Sequence, residues 1–400
     1  MITRTTGTIG TGLALAAATA CFAVTAAAAQ VEPAAPAEPA LVDLHTLVVK
    51  EDTPFPRFQV DAGWPQMPPD LMLGQVSGVS VDGNDDVWLV HRPHTLDNTE
   101  IGVTLDPPIA DCCRPAPTVV RFSQDGRYLD AWGTPDTGPV IDGVNQWPSS
   151  VHGIYVDAAN NVWIGGNGDG DHAVLNFTAD GEFIRSFGRR EQHGGNTAED
   201  TLGRPADVYH DGDQVLIADG YTNRRVIRFT SAAGEFGGYW GAYARHPQPV
   251  NAETDTTRYD PDAPRFADIV HCVVATGDGF VYVCDRRNNR AQLFEQADDG
   301  TLSFVRNIVI SPDGGATGTA TDVAVSPDGR WVYVAEMVNS RIWILDRRTH
   351  EPVAAIGRIG RQAGQFTWLH SIDVDSDGNL YATEVATGRR IQKLVLTGVR

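Results

Sequence analysis

Beyond residue 29 the chain has no apolar run long enough to cross a bilayer, which excludes a helical membrane span from its main body. Basic residues are scarce: 31 Lys and Arg stand against 51 Asp and Glu, for a formal charge of -20. Nucleic-acid binding needs clustered cations facing phosphates, so a nucleic-acid partner is not expected. The acidity speaks instead to solubility. Cysteines number only five, and none of their spacings suits a zinc finger. Cys112 and Cys113 are adjacent, while Cys272 and Cys284 flank a predicted hairpin and could face each other across it. Their pairing stays open at this level. Hardly any helix is expected.

What is present begins with a leader. Arg4 precedes a small-apolar run from Leu13 to Ala29, and Ala27-Ala28-Ala29 before Gln30 suits a signal peptidase. Residues 1–29 are therefore expected to be a cleaved signal peptide, giving a secreted or periplasmic protein. Ala18-Thr19-Ala20-Cys21 is a poor lipoprotein signal because Ala rather than Leu opens it, so cleavage is expected in preference to lipid attachment at Cys21. Residues 30–45 are Pro/Ala-rich linker, and 46–400 form the folded body.

That body repeats. The unit is a short apolar run, an Asp/Gly turn, a second apolar run ending in an acid, an alternating run, and a closing run near Gly. Copies begin at VSGVSVD, VHGIYVD, PADVYHD, IVHCVVAT, ATDVAVS and LHSIDVD. Four short strands recurring every ~40–50 residues are the signature of a β-propeller. The expected fold is all-β, a six-bladed β-propeller of NHL-type four-stranded repeats. The last copy stops early, so the segment near Arg57–Val60 is expected to supply its outer strand.

Aligning the copies puts Ser77, His152, Ala206, His271, Thr321 and His370 at one position, the start of each innermost strand. Histidine alternates with small residues. Alternate blades of six lie about 120° apart around the channel, so His152, His271 and His370 would point at the axis from three sides. Three imidazoles with an open fourth position describe a catalytic zinc, with iron, copper or manganese as alternatives. A lone strand histidine is usually structural; strict alternation at one repeat position argues otherwise.

Antiparallel pairing brings the end of each second strand level with the histidines, which places His91-Arg92, Gly220-Tyr221 and Arg286 at the same end. Insertions over about 93–117 and 242–269 open on that face and are expected to wall the pocket. Asp219, Asp285, Glu336 and Glu384 each precede an arginine (Arg225, Arg290, Arg341, Arg390), a pattern best read as repeated structural bridges. Asn167–Asp171 carries oxygen donors but lacks a closing glutamate, so a polar turn is expected rather than a calcium loop. The tryptophans at 88, 132, 163, 240, 331 and 343 fall on strand positions as packing residues.

These residues resemble peptidyl-α-hydroxyglycine α-amidating lyase, over about Leu71 to Leu396. The stretches carrying the resemblance are QVSGVSVD with VWLVHR, VHGIYVD with NVWI, RPADV with ADGYTNRR, VCDRRNNRAQLF, and LHSIDVDSDGNLY. The resemblance implies a six-bladed propeller, zinc on His152, His271 and His370, and cleavage of a carbinolamide to a peptide amide and glyoxylate. It implies catalytic roles for Arg92 and Tyr221, and a calcium held partly by the backbone at Val79 and Ile154. The family's His-Asp pair is His370-Ser371 here, which removes a carboxylate from that calcium. The family's disulfide positions fall on Gly203 with Thr222 and Tyr282 with Leu293, so neither bridge is expected. The partner implied is a small-molecule or peptide substrate with an α-hydroxyglycine-like group, and a monomer is expected because a closed propeller needs no partner to cover its edges. The alternatives are a non-catalytic binding propeller and a metal-dependent hydrolase of the same shape, the latter usually ligating through Glu, Asp and Asn.

Overall fold

A computed structural model describes residues 40–230, 233–250, 260–312, 314–315 and 317–400. The expected signal peptide, Cys21 and the linker to residue 39 lie outside the described residues. Among the described residues, six antiparallel sheets of four or five strands follow one another along the chain. Their innermost strands are Gln75–Val81, Val151–Val156, Asp207–His210, Val270–Ala275, Ala320–Val325 and Leu369–Val374. Asp/Gly and Asn turns separate strands of alternating or fully apolar pattern, and among the described residues the only helical segments are short 3₁₀ turns.

The core lies between blades rather than at the centre. Six apolar clusters each join two neighbouring blades. Trp88, Trp163 and Trp331 are buried in them, as expected of packing residues. Trp88 and Trp163 also donate their indole N–H to Asp82 and Asp157 at 2.9 and 3.0 Å. Because apolar area is removed from water between sheets, the axis is left free for polar groups.

The ring closes as the early end of the sixth repeat suggests. Pro56–Asp61 pairs antiparallel with the last strand, Arg390–Val399, with Val60 opposite Leu394. Two further pieces of the N-terminal segment cover sheet edges. Leu41–Asp43 pairs with the closing strand and Thr46–Val48 with the outer strand of the fifth blade. Residues 41–43, placed in the linker by composition, thus sit on a sheet.

Cys272 and Cys284 are disulfide-bonded across the first two strands of the fourth blade, and Cys112 is bonded to Cys113. The Asp/Glu–Arg bridges form in three blades: Arg225–Asp219, Arg290–Asp285 and Arg390–Glu384. The fourth departs from expectation. Glu336 accepts from Trp343 Nε1 at 2.6 Å and from Asn339, so Trp343 and Asn339 use the carboxylate rather than Arg341.

Candidate metal centre

Five innermost strands carry a break in pairing register at the repeat position identified above. The breaks fall between Val151 and Ile154, Val270 and Val273, and Leu369 and Ile372 in the histidine blades, and at Ser77 and Thr321 in two of the others. A bulge bends the strand and re-aims one side chain. Here it turns His152, His271 and His370 to one point: their ring centroids are 4.8, 4.7 and 4.8 Å apart pairwise, and one ligand nitrogen from each lies within 4.8 Å of the others.

The small residues between the histidines have a job too. His152 Nδ1 donates to the carbonyl of Ala206, His271 Nδ1 to Thr321 and His370 Nδ1 to Ser77, each at 2.7 Å. Every histidine is therefore held by the equivalent residue of the next blade. A proton fixed on Nδ1 leaves a lone pair on Nε2, the usual way a second partner sets the tautomer of a metal-binding imidazole. His271 Nε2 is buried with no hydrogen-bond partner among the described residues, an orphan that a metal would satisfy. Burial first, then neighbouring imidazoles and Arg92, push the His152 pKa well below its ordinary value; His271 is lowered by burial, His370 and Arg286. His370 falls to about 3, through burial, Arg92 and Arg286. All three are held in the neutral form that metal binding would require.

Tyr221 and Arg92 join them. The Tyr221 hydroxyl lies 2.8 Å from His152 Nε2 and, with Nδ1 already protonated, must be the donor. Gly220 brings it there: a Cβ at that position would meet the Val270 carbonyl at 2.0 Å, so only glycine lets the turn approach the blade carrying His271. Arg92 Nε donates to the Val151 carbonyl at 2.8 Å, Nη1 to Gln75 at 3.1 Å and Nη2 to Asn167 at 3.3 Å. Burial lowers the Arg92 pKa, and Tyr221 and Asp171 oppose that shift.

Sequence reasoning missed the supports of this pair. Asn167 belongs to the expected polar turn, whose Asp171 accepts backbone N–H groups from Ser149, Ser150 and Gly168, while its Asn167 steadies Arg92. Arg204 donates to the Asn167 carbonyl at 2.7 Å and lies over the Tyr221 ring. Neither has a motif; both are visible only once blades one to three are side by side. His91 proved structural, bonded at 3.1 Å by Gly74 N–H and at 3.0 Å to the Pro117 carbonyl.

Farther down the channel Val79 and Ile154 line a cavity of about 230 Å³ together with Asp207, Asp322 and Asp373. These acids tie blades together. Asp207 accepts from Val273 N–H, Asp322 from Ile372 N–H and Asp373 from Val81 N–H, each in the next blade. Ser371 Oγ donates to Asp322 at 2.7 Å.

No family model matches the chain. Its homologues are NHL-repeat and amidating-lyase-like proteins. The chain is 25% identical to NHL repeat-containing protein 3 of Homo sapiens, over 84% of each protein. It is 22% identical to a probable peptidyl-alpha-hydroxyglycine alpha-amidating lyase of Caenorhabditis elegans, over 81% of this chain and 83% of that one. Among solved structures, a gluconolactonase from Xanthomonas campestris superposes with a TM-score of 0.53 at 14% identity, covering 92% of this chain and 99% of that one. That likeness concerns the fold alone.

Proposed function

We propose that the protein is an exported, metal-dependent carbon–nitrogen lyase that cleaves a peptidyl- or N-acyl-α-hydroxyglycine to an amide and glyoxylate. The observation that carries this reading is the set of three Nε2 lone pairs, each fixed by a neighbouring blade, with the Tyr221 phenol on one of them. A binding propeller has no need to orient three neutral imidazoles toward one buried point. The donor set fits zinc. When bound, that ion would polarise the substrate oxygen and ease loss of its proton.

The chain's own residues supply the rest. With a metal on His152 Nε2, the Tyr221 phenol would be released from its hydrogen bond, beside the Arg92 cation. Arg92, immobilised by three acceptors, offers remaining N–H groups to the substrate carboxylate. With its own proton first released to solvent, Tyr221 acts as the phenolate: it receives the carbinol proton, the C–N bonding pair leaves with nitrogen, and the same proton passes to the departing amide, which regenerates the phenolate. No net proton or electron is consumed, and the carbinol carbon becomes the aldehyde of glyoxylate.

Calcium at Val79 and Ile154 belongs to the same proposal in a modified form. Ser371 brings no carboxylate, and Asp322, which accepts its hydroxyl proton, would supply one in its place. The similarity to NHL repeat-containing protein 3 favours a second reading, a binding propeller without chemistry. Metal analysis of protein purified without chelators separates them, followed by glyoxylate release from α-hydroxyhippurate. About one zinc per chain, lost in His271→Ala, together with glyoxylate formation supports the lyase. A metal-free wild type, or a loaded protein that releases no glyoxylate, overturns it.

A further inference from the structure

A second cavity opens beside Arg92. It has a volume of about 320 Å³, and its wall includes Arg92, His94, Pro135, Trp147, Pro148 and Arg190. Proline and tryptophan make most of the surface apolar and stiff. The wall carries two guanidinium groups and no carboxylate, in a protein of net charge -20. Arg190 is built in rather than trailing in solvent: Nη1 donates to the Trp147 carbonyl at 3.2 Å, its backbone N–H to Gln146 at 2.8 Å, and Nε lies 3.7 Å from the buried Asp171. Its side chain is still 25% exposed, so it can meet a ligand.

Building on the lyase reading, we propose that this cavity receives the acyl portion of the substrate, and that the acyl group it selects combines an apolar body with an anionic group that pairs with Arg190. A rigid apolar wall accepts a flat or branched hydrocarbon with little ordering cost. A partly buried guanidinium fixed by protein acceptors prefers an anion that shares its fork geometry. The substrate would then be doubly negative, with one carboxylate for Arg92 and a second acidic group for Arg190, which distinguishes it from an ordinary peptide carbinolamide.

Calorimetric binding of two amides of matched shape, 4-carboxybenzamide and 4-methylbenzamide, to the zinc-loaded protein tests this without requiring turnover. The acid is expected to bind about ten-fold more tightly, as for one charge-assisted hydrogen-bonded pair. Arg190→Gln should erase that preference and Arg190→Lys should keep part of it, so loss through misfolding is recognised by failure of both variants. His271→Ala should retain the preference, since no ligand histidine lines the cavity. Equal binding of the two amides, or a preference untouched in Arg190→Gln, overturns the proposal. A retained preference in a protein that releases no glyoxylate would remove the lyase reading, and with it the acyl assignment, and leave an anion-selective subsite standing.

Discussion

Acid should destabilise the metal-free protein through its histidine ring, and the size of the effect follows from burial. In the folded state His370 titrates near 3, against an ordinary value of 6.5. In the unfolded chain it titrates at its ordinary value, so between those two limits the unfolded state binds the extra proton. Stability is therefore full above pH 6.5, declines as pH falls through the window, and levels off below about 3. At pH 5 the unfolded His370 is favoured by roughly 1.5 pH steps of about 1.4 kcal/mol each, or ~2 kcal/mol. His152 and His271 are shifted the same way and add to the slope. The assay is urea unfolding of chelator-treated protein at pH 7.5 and pH 5, wild type beside His370→Gln. The wild type should lose ~2 kcal/mol more than the variant over that interval. Identical losses would refute the claim that His370 is held neutral by the fold.

Gly153→Ala should weaken zinc binding by about 10–100-fold, because a Cβ there would lie 2.5 Å from the Ala206 carbonyl that orients His152; competition with a chromophoric chelator measures it. Tyr221→Phe should keep its metal and lose about 100-fold or more in glyoxylate release, read from steady-state rates beside metal content. Cys272→Ser with Cys284→Ser removes a buried bridge of sequence separation 12, and should cost about 3 kcal/mol in chemical unfolding under oxidising conditions. Asp322→Asn should abolish any calcium-dependent rise in Tm that the wild type shows; a rise that survives would place calcium elsewhere.

Much of this molecule is legible in its sequence because a repeat protein writes its geometry in register. Once VHGIYVD, IVHCVVAT and LHSIDVD are aligned, residues at one repeat position must occupy one height of the ring. His152, His271 and His370 then converge without any long-range contact having to be guessed. Ring closure near Arg57–Val60 follows from the missing strand of the last copy, and Asp/Gly turns mark the strand ends. The same logic brings the ends of second strands, and so Arg92 and Tyr221, to the histidine face.

Tertiary structure alone decided how those side chains are used. The bulges that aim the imidazoles have no sequence signature, since they arise where an innermost strand meets its neighbour near the axis. The tautomers depend on carbonyls of Ser77, Ala206 and Thr321, and backbone groups are silent in a list of side chains. Glu336 abandons its arginine because Trp343 and Asn339 lie closer to hand, a competition that spacing does not reveal. Asn167, Arg204 and Arg190 come to the site only when separate blades pack side by side. Periodicity sets which residues share a level of the ring; contacts between blades, many residues apart in the chain, set what each of them can bind.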